Sequence, residues 1–377
     1  LAAMVTVIAA LGIVPYIALQ LKAISTSYSI IRGYPEISMP QTQAGFPVFS
    51  DPAFYVALIL AVFAVLFGTR HLDATERHEG LVAAIAFESV VKLAAFLAVG
   101  IFVTYGIYDG FGDLIGRAEQ IAELDSHLTL GDGEGTYFNW TLSVFLSMMA
   151  VLFLPRQFQV AVVENVDENH LNRALWLFPL YLLAINIFVI PVALGGVMIF
   201  QGKSVEADTF VLTLPMVRHQ QELALFAFLG GMSAATGMVI VETVALSTMI
   251  CNDLVMPILL RLPMLRLTEQ SDLSDLLLTI RRAGIVLVLL LGYAYFHFIG
   301  EHYTLVSIGL VSFTAVAQFA PSILGGIFWR AGSRSGALAG LLAGFGIWFY
   351  TLVLPSLADV GFLPDRKSTR LNSSHYS

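Results

Sequence analysis

"GGMSAATGMVIVETVALSTMICNDL", Gly230 to Leu254, is a run of small and apolar residues interrupted by one carboxylate, Glu242, before Asp253. A helix that crosses a bilayer needs roughly 20 mostly apolar residues, and this run is long enough. In hydrocarbon Glu242 has no water, so it must face protein or a wet cavity, and that makes it a functional candidate. The rest of the chain has the same character. Of its 377 residues 57% are hydrophobic and 12% charged, where soluble domains run near a quarter charged. The single cysteine, Cys251, excludes an internal disulfide framework and a cysteine-based metal site. A net charge of −8 argues against nucleic acid as a partner.

Working outward, nine apolar segments are expected to span the membrane, at about 2–24, 53–69, 81–107, 139–163, 172–201, 222–250, 277–299, 303–329 and 334–356. No soluble stretch separates them, so residues 1–364 read as one all-α membrane domain in contact with lipid. Lys and Arg alternate between the loops. The even loops hold Arg70, Arg77, Arg173, Arg261, Arg266, Arg281, Arg282, Arg330 and Arg334, and the odd loops Arg32, Arg117, Lys203 and Arg218. The even loops are therefore expected on the cytoplasmic side. The loop from Asp109 to Gly135, with seven acids against Arg117, falls outside.

Polar residues at membrane depth mark the candidate site. Glu88 and Lys92 in "AFESVVKLAAF" are spaced i,i+4 on one helix face, where they can pair. They read either as a structural ion pair or as part of a solute or proton pathway. In "VLFLPRQFQVAVVEN", Pro155 interrupts a helix, and Arg156 and Gln157 follow at once. A broken helix with polar groups is a solute-site device in transporters; the plain alternative is a proline kink with Arg156 snorkelling. "FLGGMSAATG" permits close helix approach, or offers Ser233 and backbone carbonyls to a small cation. "HLDATERHEG" looks like a metal cluster, but Asp73 and Glu76 form an Asp version of a capping box ahead of an apolar run. No phosphate-binding loop or dinucleotide fingerprint is present.

At these residues the chain resembles the sodium:solute symporter family. "GGMSAATGMVIVETVALSTMICNDL", Ala74-Thr75-Glu76 through Glu79, and "WRAGSRSGALAGLLAG" carry the likeness, which covers nearly everything up to Pro364. Three longer stretches are similar to the symporter-like input domain of sensor histidine kinases. They are "FGTRHLDATERHEGLVAAIAFESVVKLAAFLAVG", "LPRQFQVAVVEN" and "GMSAATGMVIVETVALSTMICNDLVMPILLR". The resemblance implies a partial LeuT fold of inverted five-helix repeats, with the first two core helices expected to precede this chain. It places sodium ligands at Gly230 (a carbonyl), Ser233 and Ala234, where the alanine removes one hydroxyl. Glu76 becomes a second-cation candidate. Glu88, Lys92, Arg156, Gln157 and Glu242 are the solute-pathway candidates.

The function expected from this is a solute-sensing or transporting module of a sensor histidine kinase, in the bacterial inner membrane. A kinase domain would lie in cis outside the chain, and an amino-acid-like solute and at most a sodium ion would be bound. The alternative is a stand-alone sodium-coupled symporter. The chain itself is not expected to be an enzyme, because no phosphoacceptor helix pair or nucleotide-binding domain occurs in it. The end, "DRKSTRLNSSH" from Asp365, resembles a translated sequencing adapter, so 365–377 are expected not to be native.

Overall fold

The computed structural model describes residues 1–37, 39, 48–68, 79–121, 136–262, 273–300 and 303–359. Among these it is helical, with no strand. Seven helices are long and apolar enough to cross a membrane, or eight if one bent pair counts as a span. The chain is thus a polytopic helical membrane protein. The second expected span, at about 53–69, appears as a shorter apolar helix, Pro52–Gly68, of 17 residues.

The order is α1 (Ala2–Gly33), α2 (Pro52–Gly68), α3 (Glu79–Ile101) and α4 (Phe111–Ala118). Next come α5 (Thr136–Phe153), α6 (Pro155–Phe158), α7 (Glu168–Asn186) and α8 (Val189–Ile199). They are followed by α9 (Phe210–Val217), α10 (Gln221–Met249), α11 (Ser274–Phe298), α12 (Leu305–Ala317), α13 (Ala320–Phe328) and α14 (Arg334–Trp348). A π-helical segment extends α3 through Phe102–Ile107, α6 through Gln159–Val163, α10 through Ile250–Val255 and α14 through Phe349–Val353.

Local chemistry sets several starts. Asp51, Asp167, Thr304 and Ser333 each accept a backbone N–H at a helix N-terminus, as short polar side chains do there. Asp51 also accepts from the Tyr293 hydroxyl at 3.0 Å, which ties the start of α2 to α11. Lys22, in the second half of α1, donates to the Gly300 and Tyr303 carbonyls at 3.2 and 2.6 Å. Arg281 and Arg282, assigned above to a loop, lie inside α11.

One core gathers α1, α2, the end of α5, α10, α11 and α12–α14. A second gathers α3 and its extension with α4, α8, α9 and the start of α10. α10 enters both, through Ala235, Val239, Val244 and Leu246 in one and Ala227 in the other. α9, which the sequence reading placed in a loop, is buried from Leu212 to Met216. At eight residues it is too short to cross, so it packs beside the spans instead. The outward apolar surface is extensive. α7 has no buried residue, and Trp176 is 82% exposed. In hydrocarbon that surface is solvated by lipid and carries no aggregation cost.

α3 and α10 cross closely. A Cβ placed on Gly230 would lie 2.6 Å from the Ala95 Cβ, while one on Gly231 would meet nothing within 4 Å. Gly230→Ala should therefore lower the unfolding midpoint in detergent, costing about 1–3 kcal/mol. Ala95→Gly should restore most of the loss, and Gly231→Ala should be neutral or slightly stabilising. Equal effects of the two glycine substitutions would contradict this crossing.

Candidate functional site

A cavity of about 550 Å³ lies where α3, α6, α7 and α10 meet. Glu88 and Lys92 reach it from α3, Arg156 and Gln157 from α6, His170, Arg173 and Tyr181 from α7, and Gly237 and Val241 from α10. Four of the five solute-pathway candidates thus line one space. The fifth, Glu242, follows Val241 directly on α10.

The break in the chain makes this possible. α5 ends at Phe153, and Pro155–Val163 continues at a bend of 50°. Pro155 occupies the first turn of α6, where a missing N–H costs nothing. Leu154 is extended rather than helical, as the residue before a proline prefers. The bend carries Arg156 and Gln157 inward onto α10. Gln159 then donates to Glu164 at 3.0 Å and steadies the far end of the segment.

Glu242 is 0% exposed, and neither carboxylate oxygen has a hydrogen bond among the described residues. Arg156 lies within electrostatic range of it, though no contact between them reaches hydrogen-bond geometry. Arg156 Nε is likewise buried without a partner among the described residues. Glu88, 8% exposed, presses its carboxylate onto the bare Cα of Gly237, where a side chain on residue 237 would collide with it.

The ion pair expected between Glu88 and Lys92 is not formed within 4.0 Å among the described residues. The reason is local: the space left by Gly237 draws the Glu88 carboxylate onto α10. The ammonium of Lys92 is left facing cavity space.

Two tyrosines complete the surroundings. Tyr16 of α1 is buried within electrostatic range of Arg156, Glu242 and Glu88, and its hydroxyl donates to Met238 Sδ at 3.3 Å. Tyr181 donates to the Ser89 carbonyl at 3.1 Å and holds α7 against α3. Sequence reading missed both, because an aromatic in an apolar run reads as core. It also left His170 and Arg173 out of the site, since they lie at the start of a helix beside a loop.

The residues tied to a sodium site lie one level away. Gly230 lines a second cavity, of about 250 Å³, together with Lys92, Asp208 and Ser27. Ser233 is half-buried and Ala234 buried, both within the unbroken part of α10. Gly230 lies in helix at the crossing with α3, which is the packing role a small residue serves there. Glu76 lies outside the described residues. Among the described residues no group of three or more His, Cys, Asp or Glu side chains is placed to hold a metal ion.

Comparison with known proteins returned no matching family model, no matching curated protein and no matching solved structure.

Removing Arg156 should strand the Glu242 carboxylate. Arg156→Met is expected to cost about 2 kcal/mol, less than for a fully buried pair because Arg156 borders a cavity. The double variant with Glu242→Gln should recover much of that loss. Thermal unfolding in detergent reads the cycle, and strictly additive losses would show that the two groups do not interact.

Proposed function

We propose that this chain is the solute-binding membrane module of a sodium:solute-symporter-like protein, with the helices of a partial LeuT fold. It serves as the input domain of a sensor histidine kinase whose catalytic domains lie outside the chain. The observation that supports this best is the cavity at the helix break. Charged side chains from α3, α6 and α7 meet there, and Arg156 Nε and the neighbouring Glu242 carboxylate are buried without a hydrogen-bond partner among the described residues, which is costly without a ligand or water. A proline-broken helix beside an unbroken helix rich in small residues is the arrangement by which such folds build solute sites.

The charges favour a ligand that carries a carboxylate. Lys92, Arg156 and Arg173 line the cavity with His170, against Glu88 there and Glu242 behind Arg156. Cations are in excess, so an anionic group on the solute balances the site. Glu88 offers a place for an ammonium, which suits an amino acid.

The stretches similar to kinase input domains favour a sensor over the alternative, a stand-alone sodium-coupled symporter. The coding sequence of the parent gene separates them, since a histidine kinase core in the same reading frame occurs only in the sensor.

Binding is tested by thermal stabilisation of the purified chain against a panel of amino acids and short carboxylic acids. At least one carboxylate-bearing compound should stabilise it. Arg173→Gln should weaken that binding about tenfold, the loss of one charge-assisted contact. Stabilisation only by uncharged solutes would overturn the proposal. Uptake into vesicles, with and without sodium, tests coupling, and Ser233→Ala should reduce any sodium dependence. An unchanged sodium dependence removes Ser233 from the ligand set.

A further inference from the structure

Lys92 is the titratable side chain that lines both cavities. The two lie in sequence along the same helices. On α3, the first touches Ile85, Glu88, Ser89 and Lys92, and the second touches Lys92, Ala95 and Phe96. On α10, which runs the other way, the first touches Gly237 and Val241, and the second Ala227, Phe228 and Gly230–Met232.

Their linings extend toward opposite ends of the bundle. The first cavity is flanked by His170 and Arg173, at the start of the membrane-spanning segment Glu168–Ile199. The second is flanked by Asp208 and Thr209, just beyond the end of that segment. A third, smaller space lined by Lys22, Thr26, Glu206 and Asp208 continues the second one outward. Between Met232 and Gly237, α10 rises about 7.5 Å at 1.5 Å per residue. Ser233 to Thr236 line neither cavity. At that level α3 presents Lys92.

We propose that Lys92, set against the Ser233–Thr236 turn of α10, is the barrier between two water-filled cavities reaching toward opposite membrane faces. The solute pathway is closed at this point and opens when the lysine side chain moves aside. Three features suit Lys92 to this work. Its side chain is long and unbranched, so it can swing between two spaces. It makes no hydrogen bond or ion pair among the described residues that would hold it in one of them. Its charge meets the anionic group of an approaching solute, so the ligand itself can draw the barrier open. The inference rests on the solute-pathway reading, and its test needs no solute, so the two can fail separately.

The test uses the full chain with Cys251→Ala in sealed vesicles and a membrane-impermeant, cationic thiosulfonate reagent applied to one face at a time. Ser27→Cys reports the second cavity and Ser89→Cys the first. With Lys92 present, each cysteine should react from one face only, and the two from opposite faces. Lys92→Ala should make each reactive from the other face as well, at a rate raised at least tenfold. Lys92→Cys should react from both faces, and it decides the matter if the alanine variant does not fold. Reaction of Ser27→Cys and Ser89→Cys from the same face overturns the proposal. So does sidedness unchanged in Lys92→Ala, or reaction of Lys92→Cys from a single face.

Discussion

The site depends on the close antiparallel crossing of α3 and α10. Gly230 lies opposite Ala95, and seven residues on, Gly237 lies opposite Glu88, seven residues back. Seven residues are nearly two full turns, so both contacts fall on one face of each helix. Lys92 lies between Glu88 and Ala95 at helical spacing and shares that face. Two backbones in near contact gain close van der Waals packing, a main attraction between helices where lipid removes the hydrophobic driving force. They also leave both charges of α3 turned into the bundle and away from hydrocarbon. A larger residue at position 237 would close the space that holds the Glu88 carboxylate.

The broken segment after α5 is the counterpart of that crossing. An unbroken helix satisfies every interior carbonyl and leaves polar side chains wherever the helical repeat puts them. The 50° turn at Leu154 and Pro155 frees the first turn of α6 to lean onto α10. Arg156 then comes within electrostatic range of Glu242, and Arg156 and Gln157 both line the cavity. A carboxylate with no exposure and no hydrogen bond would be expensive beside an ordinary apolar helix. Arg156, within electrostatic range, offsets part of that cost. The π-helical turns that extend α3, α6, α10 and α14 follow the same logic, since each re-aims a chain end without ending the helix.

The helical membrane class was legible because apolar length is a strong signal in a chain with so few charges. Each of the nine apolar segments contains a helix, and the caps at Asp51, Thr304 and Ser333 are short polar residues just before apolar runs. Part of the cavity's surroundings was legible residue by residue. Glu88, Lys92, Arg156, Gln157 and Glu242 stand out as ionisable or polar groups where lipid is expected. That four of them share one cavity is not in the sequence, because it follows from a bend angle and from which helices become neighbours. Local spacing was misleading for Glu88 and Lys92. The i,i+4 rule describes an isolated helix, whereas here a glycine on another helix offers the carboxylate a better place. α9 was missed for a similar reason. Its apolar stretch is short, and only burial against α8 and α10 distinguishes it from a loop.

The same crossing bears on the cation reading. The sodium ligands that the family likeness places at Gly230, Ser233 and Ala234 lie at and just beyond the edge of the second cavity. Ala234 supplies no oxygen, and Gly230 is engaged in helix packing against Ala95. Lys92 enters the cavity that Gly230 lines. An ammonium and a sodium ion in one small space repel each other, by about 4 kcal/mol at 4 Å with an effective dielectric constant near 20. On the proposed sodium reading, a cation beside Gly230 would therefore require the lysine side chain to lie toward the first cavity, so cation occupancy and the position of Lys92 would be coupled.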